Sequence, residues 1–160
     1  MIEAVILGGG NRGDMVAQLD RAEQLIAQRA GSITARSDYY TTEPWGFECS
    51  DNFTNRAYVV STALSAMELM EVLLEIEIEL GRDRTAEYRS KVLGGQEYAS
   101  RAIDLDILLY GQHLVVTPHL QIPHPSLLRR DFAMVPMCQV LNLDMDEGVE
   151  LVRNIITNEI

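Results

Sequence analysis

Short apolar runs alternate with two amphipathic helical patterns along the first 110 residues of the chain. The run Ile2–Leu7 ends at three consecutive glycines, which predicts a buried N-terminal strand followed by a turn. From Asp14, apolar residues recur at three- and four-residue steps up to Gly31, which predicts a helix. Ser65 and Glu68 form a capping-box pattern for a second helix, which runs to Leu80. This alternation indicates a mixed α/β protein.

Three further segments complete the order of elements. Ile33–Thr42 and Asn55–Thr62 are rich in β-branched and aromatic residues, and Arg101–Tyr110 resumes a strand pattern. The order β-α-β-β-α-β with a C-terminal extension is the ferredoxin-like order, an α+β sandwich whose antiparallel sheet packs its helices on one face. Asp131–Leu141 is apolar enough to cover a core. We expect residues 1–160 to form a single domain, because the length and composition are those of one globular domain and the sequence shows no internal repeat.

Composition narrows the class of protein. The 160 residues are 47% apolar and 23% charged, which is typical of a globular domain. No apolar run reaches the roughly 18 residues that cross a bilayer, and the first residues lack the order of a signal peptide. We therefore expect a cytoplasmic protein with no membrane partner. Cys49 and Cys138 stand too far apart in sequence to suggest a zinc site or a disulfide framework.

The charge is strongly acidic overall but unevenly distributed. Thirteen Lys and Arg against 24 Asp and Glu give a net charge of −11, which disfavours nucleic acid as a partner. The window from Arg82 to Arg101 nevertheless carries +2, while the remainder carries −13. This window also lacks helical or strand periodicity, and loops of such length are usually functional. Local cations in an acidic protein suggest a small anionic ligand.

A strand with two aspartates is the most informative chemical pattern. Strand alternation places Asp104 and Asp106 on one face, about 6.6 Å apart at Cα. The opposite face is expected to carry Ile103, Leu105, Ile107 and Leu109. Two carboxylates at this spacing suit Mg²⁺, which completes its coordination with water and phosphate. A solvated strand face is the commoner explanation of such a pattern, but aspartate is depleted in strands. Arg101 precedes the pair and could hold phosphate, as phosphoryl transfer requires.

Two other motifs are less specific. The segment Gly8–Asp14 follows a strand and opens a helix, but it matches neither a P-loop nor a dinucleotide-binding fingerprint. Turn and helix-start geometry explains it better. His124 lies between two prolines, five residues after His119, and this pair lacks a third zinc ligand nearby. A hydrogen bond to phosphate or to the protein is the favoured role of His124.

A set of aromatic residues and one amide suits a flat heterocycle. Aromatic rings can stack on the faces of such a ligand while an asparagine pairs with its polar edge. Packing against the core is the alternative for each aromatic residue alone. The set comprises Trp45, Phe53, Asn55 and Phe132.

Taken together, these motifs resemble the 6-hydroxymethyl-7,8-dihydropterin pyrophosphokinase family of the folate pathway. The resemblance covers nearly the whole chain and is carried most specifically by Arg-x-x-Asp-x-Asp at Arg101–Asp106, followed by Pro-His and Arg-x-Phe. It rests on the segments Gly9–Asp14, Tyr40–Gly46, Phe53 with Asn55, Glu77–Arg82, Arg101–Leu108, Pro123-His124 and Arg130–Phe132.

The resemblance implies a ferredoxin-like fold and Mg²⁺-dependent transfer of pyrophosphate from ATP to the pterin hydroxymethyl group, releasing AMP. It implies that Asp104 and Asp106 bind two Mg²⁺ ions and form the catalytic set with Arg82 and Arg101. The implied ATP-binding residues are Glu77, Arg82, Arg101, Ile107, His124 and Arg130. The implied pterin-binding residues are Thr42, Pro44, Trp45, Phe53, Asn55, Asp104 and Phe132. The protein is expected to act as a monomer on these two small molecules.

Two other functions stay open on sequence alone. The same element order also serves regulatory and RNA-binding domains, so a non-catalytic binding module is one alternative. The net charge argues against RNA, and a regulatory module has no need of paired aspartates beside arginines. A different Mg²⁺-dependent phosphotransferase is the other alternative, since only the two phenylalanines and Asn55 point to a pterin.

Overall fold

Five strands form one antiparallel sheet within the described residues of the computed structural model, 1–42, 53–81 and 103–157. A separate two-stranded sheet, β6 with β7, follows the fifth strand. The elements in chain order are β1 (Ile2–Gly10), α1 (Met15–Arg29), β2 (Ser32–Arg36), β3 (Tyr40–Thr42), β4 (Phe53–Thr62), α2 (Ala66–Glu79), β5 (Asp104–Tyr110), β6 (Val115–Val116), β7 (Gln121–Ile122), a short 3₁₀ helix (Leu127–Arg129), α3 (Asp131–Leu141) and α4 (Met145–Thr157).

The order of the strands places β1 in the centre of the sheet. The order is β2-β4-β1-β5, and β3 pairs with the first residues of β4. Ile33–Thr42, expected to be one strand, is two strands separated by Ser37–Tyr39. Ser37 stabilises this break through two hydrogen bonds. Its hydroxyl oxygen accepts one of 2.9 Å from the N–H of Ala57, and its carbonyl oxygen accepts one of 2.6 Å from Nε of Arg56.

The first two helices begin where the sequence predicts. Asp14 is the N-cap of α1 and accepts a hydrogen bond from the N–H of Ala17. Ser65 and Glu68 form the complete capping box of α2, which satisfies two otherwise unpaired N–H groups. Both helices pack on one face of the sheet, against a core that includes Ala4, Ile6, Tyr58, Val60, Leu105 and Ile107.

The other face of the sheet is covered by α3 and α4, so the helices do not lie on one face alone. Val5, Leu7, Ala57 and Val59 point to this face, where they join a second core with Met134, Met137, Val152 and Ile155. The helix α4 was missed in the sequence. Its start is a second capping box, in which Asp144 and Glu147 exchange hydrogen bonds of 3.0 and 2.8 Å.

A β-bulge divides β5 into two halves. Ile6 pairs with Ile107, but Val5 pairs with Leu109, so Leu108 is an extra residue in β5. Leu108 and Leu109 consequently both join the second core. The prediction that Leu109 shares a face with Ile107 is therefore wrong.

No helix within the described part of the chain is both long and apolar enough to cross a membrane.

Candidate active site

The two aspartates lie at the start of β5, on the sheet face that α3 covers. Asp106 is opposite Leu7 in the register of β1, and Asp104 is opposite Gly9. Leu7 belongs to the core under α3 and α4, and cross-strand partners share a face, so both carboxylates point to that side. Asp104 is half-buried and Asp106 is exposed. Both are thus within reach of solvent and of a ligand.

Gly9 gives Asn55 room beside the aspartates. Asn55, Gly9 and Asp104 form one row across β4, β1 and β5. A Cβ atom on Gly9 would overlap the Asn55 Oδ1 atom and would lie 3.1 Å from the carbonyl oxygen of Thr54. Asn55 is only 7% exposed. A glycine at this position therefore leaves room for a buried amide in the row that also contains Asp104.

Glu77 connects α2 to the same strand. Its side chain is 2% exposed, and its Oε2 atom accepts a hydrogen bond of 2.7 Å from the N–H of Leu105. Leu105 lies between the two aspartates. The N–H of Leu105 is therefore bonded to a side chain of α2 at the edge of β5 that faces away from β1.

A cleft of about 440 Å³ runs along this edge of β5, between α2 and the segment 119–133. It brings together the expected metal-binding residues and all the expected ATP-binding residues that the structure describes. The residues concerned are Glu77, Asp104, Asp106, Ile107, His124 and Arg130, with Phe132 beside them.

The other expected pterin-binding residues lie on neighbouring strands. Thr42 on β3 is paired with Phe53 on β4, and Asn55 follows two residues later on the same face of β4. They do not belong to the lining of the cleft. Arg82, Arg101, Pro44 and Trp45 lie outside the described residues.

Sequence reasoning missed part of the wall of this cleft. Met70, Leu73 and Leu74 line it, although the helical period indicates only core positions for them. The available signal is their spacing, since residues 70, 73, 74 and 77 fall on one side of a helix. His119, first considered as a zinc ligand, also lines the cleft.

The charges of the cleft suit a hard cation better than a bare polyphosphate. Three acidic side chains line the cleft: Glu77, Asp104 and Asp106. Among the described lining residues, Arg130 is the only Lys or Arg. Within the described ranges, no three His, Cys, Asp or Glu side chains converge on a metal position. Two carboxylates alone fit Mg²⁺, because this ion takes one or two carboxylates and keeps its other positions for water and phosphate.

His124 lies at the cleft as a neutral hydrogen-bond donor. Its Nδ1 atom accepts the N–H of Ser126 at 2.9 Å, so the proton of the neutral ring is on Nε2. Desolvation lowers the pKa of His124, and the positive charge of Arg130 lowers it further. The imidazole is therefore uncharged at pH 7, with Nε2–H available to a phosphate oxygen.

We expect an NMR titration of His124 to give a pKa below its ordinary value of 6.5. In Arg130→Gln the pKa rises part of the way back, because one of its two causes is removed. In the wild type, the pKa of His124 is lower in the folded chain than in the unfolded chain, so the unfolded chain binds the proton at a higher pH. The free energy of unfolding therefore falls as the pH drops below 6.5. Arg129→Gln is the matched control, and an equal rise in that variant would contradict the assignment to Arg130.

A family model matches residues 5–142 of the chain, and its description is 7,8-dihydro-6-hydroxymethylpterin-pyrophosphokinase. Among curated proteins, the chain is 35% identical over 133 residues to the 2-amino-4-hydroxy-6-hydroxymethyldihydropteridine pyrophosphokinase of Porphyromonas gingivalis. That match covers 82% of this chain and 86% of the relative. The enzyme of the same name from Bacillus subtilis is 35% identical over 138 residues, covering 86% of this chain and 77% of the relative.

Solved structures show the same fold. The crystal structure of wild-type HPPK-DHPS of Plasmodium falciparum with SDX-DHP superposes with a TM-score of 0.64 at 15% identity. The match covers the whole of this chain and 45% of that longer one. With the family model spanning most of the sequence and two relatives 35% identical, the chain belongs to the 7,8-dihydro-6-hydroxymethylpterin-pyrophosphokinase family.

Proposed function

We propose that this chain transfers the pyrophosphoryl group of ATP to the hydroxymethyl group of 6-hydroxymethyl-7,8-dihydropterin in folate biosynthesis. The observation that carries the proposal is the cleft in which Asp104 and Asp106 lie together with His124, Arg130 and Phe132. In the reaction, the hydroxyl oxygen of the pterin forms a bond to the β-phosphorus of ATP. The bond from that phosphorus to the α,β-bridging oxygen breaks, AMP leaves with this oxygen, and the hydroxyl proton passes to water.

Asp104 and Asp106 are the residues that would hold two Mg²⁺ ions. Bound Mg²⁺ neutralises phosphate charge and lowers the pKa of a hydroxyl group that it contacts. The two aspartates are separated by one residue on a strand that is paired with β1, so the sheet fixes the distance between their Cα atoms. Preformed geometry of this kind removes the need for side chains to reorganise during the reaction.

The ATP side of the cleft has three recognition elements. Ile107 lines the cleft, and its backbone N–H and C=O would offer a donor and an acceptor to the edge of a purine. His124 donates from Nε2, and Arg130 supplies a guanidinium for phosphate oxygens. Glu77 lines the cleft and is assigned to the ATP side through the resemblance. Arg82 and Arg101 are assigned to the phosphates through the resemblance.

The pterin side is formed by aromatic rings and one amide. Phe53 and Phe132 would stack on the two faces of the ring, and Asn55 would pair with its polar edge through both its donor and its acceptor. Thr42, Pro44, Trp45 and Asp104 complete this set through the resemblance. The buried position of Asn55 favours a fixed hydrogen-bonding partner over a solvated amide.

Phe132→Ala tests the pterin side. The Phe132 ring is 38% exposed, beside the cleft and 5.9 Å from the Arg130 guanidinium carbon. Loss of stacking on a flat heterocycle costs about 1–3 kcal/mol, so we expect the KM for the pterin to rise by roughly 5- to 150-fold. The KM for ATP changes much less. Steady-state kinetics with each substrate varied in turn measures both, and an increase confined to ATP would move Phe132 to the nucleotide side.

We also propose a ferredoxin-like topology in a single domain of residues 1–160, acting as a cytoplasmic monomer. The strand order β2-β4-β1-β5 supports the topology when β2 and β3 are counted as one interrupted strand. The layer of α3 and α4 is then the C-terminal extension to this fold. The continuous packing of β1 against both helical layers supports one domain.

The deciding experiment is AMP formation from ATP and Mg²⁺ with 6-hydroxymethyl-7,8-dihydropterin, beside a blank without pterin and a sample with EDTA. We expect AMP that requires both the pterin and the metal. AMP that forms without pterin would indicate a different phosphotransferase. Folded protein that binds ATP but forms no AMP would indicate a nucleotide-binding module instead.

A further inference from the structure

Glu77 carries the only buried carboxyl group in the part of the chain that the structure describes. Burial of a polar group is costly unless the group is hydrogen-bonded. The Glu77 Oε2 atom is bonded to a backbone N–H, that of Leu105, at 2.7 Å. A side chain of α2 thus satisfies a donor on a strand that has no other described strand at its outer edge.

The position of this contact along β5 is specific. Leu105 is flanked by Asp104 and Asp106, and its side chain packs in the core under α1 and α2. On one edge, β1 holds this part of β5 through the pairs Gly8 with Leu105 and Leu7 with Asp106. On the opposite edge, Glu77 holds the backbone between the two aspartates.

We propose that Glu77 is a positioning residue that fixes the carboxylate pair by holding the backbone of Leu105. The inference rests on the proposed function, in which Asp104 and Asp106 bind the metal ions. Movement of one backbone unit displaces both carboxylates together, because they are the two neighbours of Leu105. Catalysis that depends on positioning is sensitive to displacements of about 1 Å. Glu77 then acts on the reaction through β5, without needing to touch a substrate.

Two conservative variants separate the effect of side-chain length from the effect of side-chain charge. Glu77→Gln keeps the length of the side chain and an acceptor oxygen, whereas Glu77→Asp keeps the carboxyl group but is shorter by one methylene. If Glu77 acts by holding Leu105, kcat falls by about 10- to 100-fold in Glu77→Asp. Glu77→Gln loses severalfold less. The matched controls are Glu75→Asp and Glu75→Gln, since Glu75 is exposed on the same helix.

Amide hydrogen exchange supplies a readout without turnover. In the wild-type protein we expect the Leu105 N–H to exchange slowly although it faces the outer edge of the sheet. In Glu77→Asp it exchanges about tenfold faster, as loss of one hydrogen bond implies, and Glu77→Gln stays close to the wild type. A Mg²⁺ titration in the presence of a non-hydrolysable ATP analogue measures metal binding at the carboxylate pair. The amide chemical shifts of residues 103–107 are the signal. Glu77→Asp requires more Mg²⁺ for half-saturation than Glu77→Gln.

Three results would overturn the proposal. The first is fast exchange of the Leu105 N–H in the wild type, and this measurement does not depend on whether any variant folds. The second is a kcat in Glu77→Gln as low as in Glu77→Asp, which would assign the effect to charge. The third is a rise in the KM for ATP alone with unchanged Leu105 exchange, which indicates direct nucleotide contact. If the wild type makes no pterin-dependent AMP, the proposed function fails, and the Mg²⁺ titration and amide exchange still decide whether Glu77 positions the aspartates.

Discussion

Asp104→Ala and Asp106→Ala are each expected to reduce pterin-dependent AMP formation by about 10³-fold, the order of effect for removing direct charge stabilisation of a transition state. Both carboxylates point to the same side of β5 and line one cleft, so loss of either leaves a single protein ligand for the ions. Neither residue belongs to a hydrophobic core, and the fold should survive. AMP release with and without added Mg²⁺ measures the effect.

The matched control for the aspartates is Asp146→Ala. Asp146 is exposed in the first turn of α4 and lies outside the cleft, so its removal should leave turnover close to that of the wild type. Calorimetric titration with ATP at saturating Mg²⁺ separates binding from chemistry. Retention of more than about a tenth of the activity in both cleft variants would exclude a metal role for the pair, since such a loss corresponds to only about 1.4 kcal/mol.

Gly9→Ala is expected to reduce kcat/KM for the pterin by about 10²-fold, because an added methyl group displaces a recognition residue by about 1 Å or more. The new Cβ would overlap Asn55 Oδ1 and crowd the carbonyl oxygen of Thr54. Overpacking of this kind also costs about 1–3 kcal/mol of stability. Thermal unfolding and steady-state kinetics measure the two effects separately.

The double variant Gly9→Ala/Asn55→Ala tests the cause of that loss. If the added methyl group acts by displacing Asn55, the double variant is no worse for pterin turnover than Asn55→Ala alone, because contacting residues are not additive. Binding of the Mg²⁺ complex of an ATP analogue should persist in all three variants. Full additivity of the two single effects would mean that Gly9 and Asn55 act independently.

The sequence predicts the parts of the fold that depend on local chemistry. Asp14 and Ser65 start helices because their side chains accept backbone N–H groups, and such caps are visible in the sequence. Asp144 starts α4 in the same way, so this helix was available to the same reasoning. Which face of the sheet a helix covers is a tertiary property, and α3 and α4 on the second face could not be read from helical periodicity.

The site is predictable to the level of residue types, while its contacts are not. The Asp104 and Asp106 pattern predicts a shared face because a strand alternates. Nothing in the local sequence around Glu77 indicates that its side chain is buried, since its partner is a backbone N–H 28 residues away. The role of Gly9 is similarly non-local, because Asn55 approaches it from the neighbouring strand β4, 46 residues further along the chain. Long-range contacts of this kind depend on the register of the sheet.

The bulge at Leu108 doubles the number of leucine side chains that the end of β5 gives to the second core. Upstream of it, Asp104 and Asp106 occupy the face beneath α3, where the cleft tolerates polar groups. Downstream, Leu108 and Leu109 turn toward that same side and belong to the second core. The extra residue places two consecutive leucines on that side, where strict alternation supplies only one. The end of β5 thus gives the packing beneath α3 and α4 one more leucine side chain than a regular strand with the same pairing to β1, immediately after the half that carries the two carboxylates.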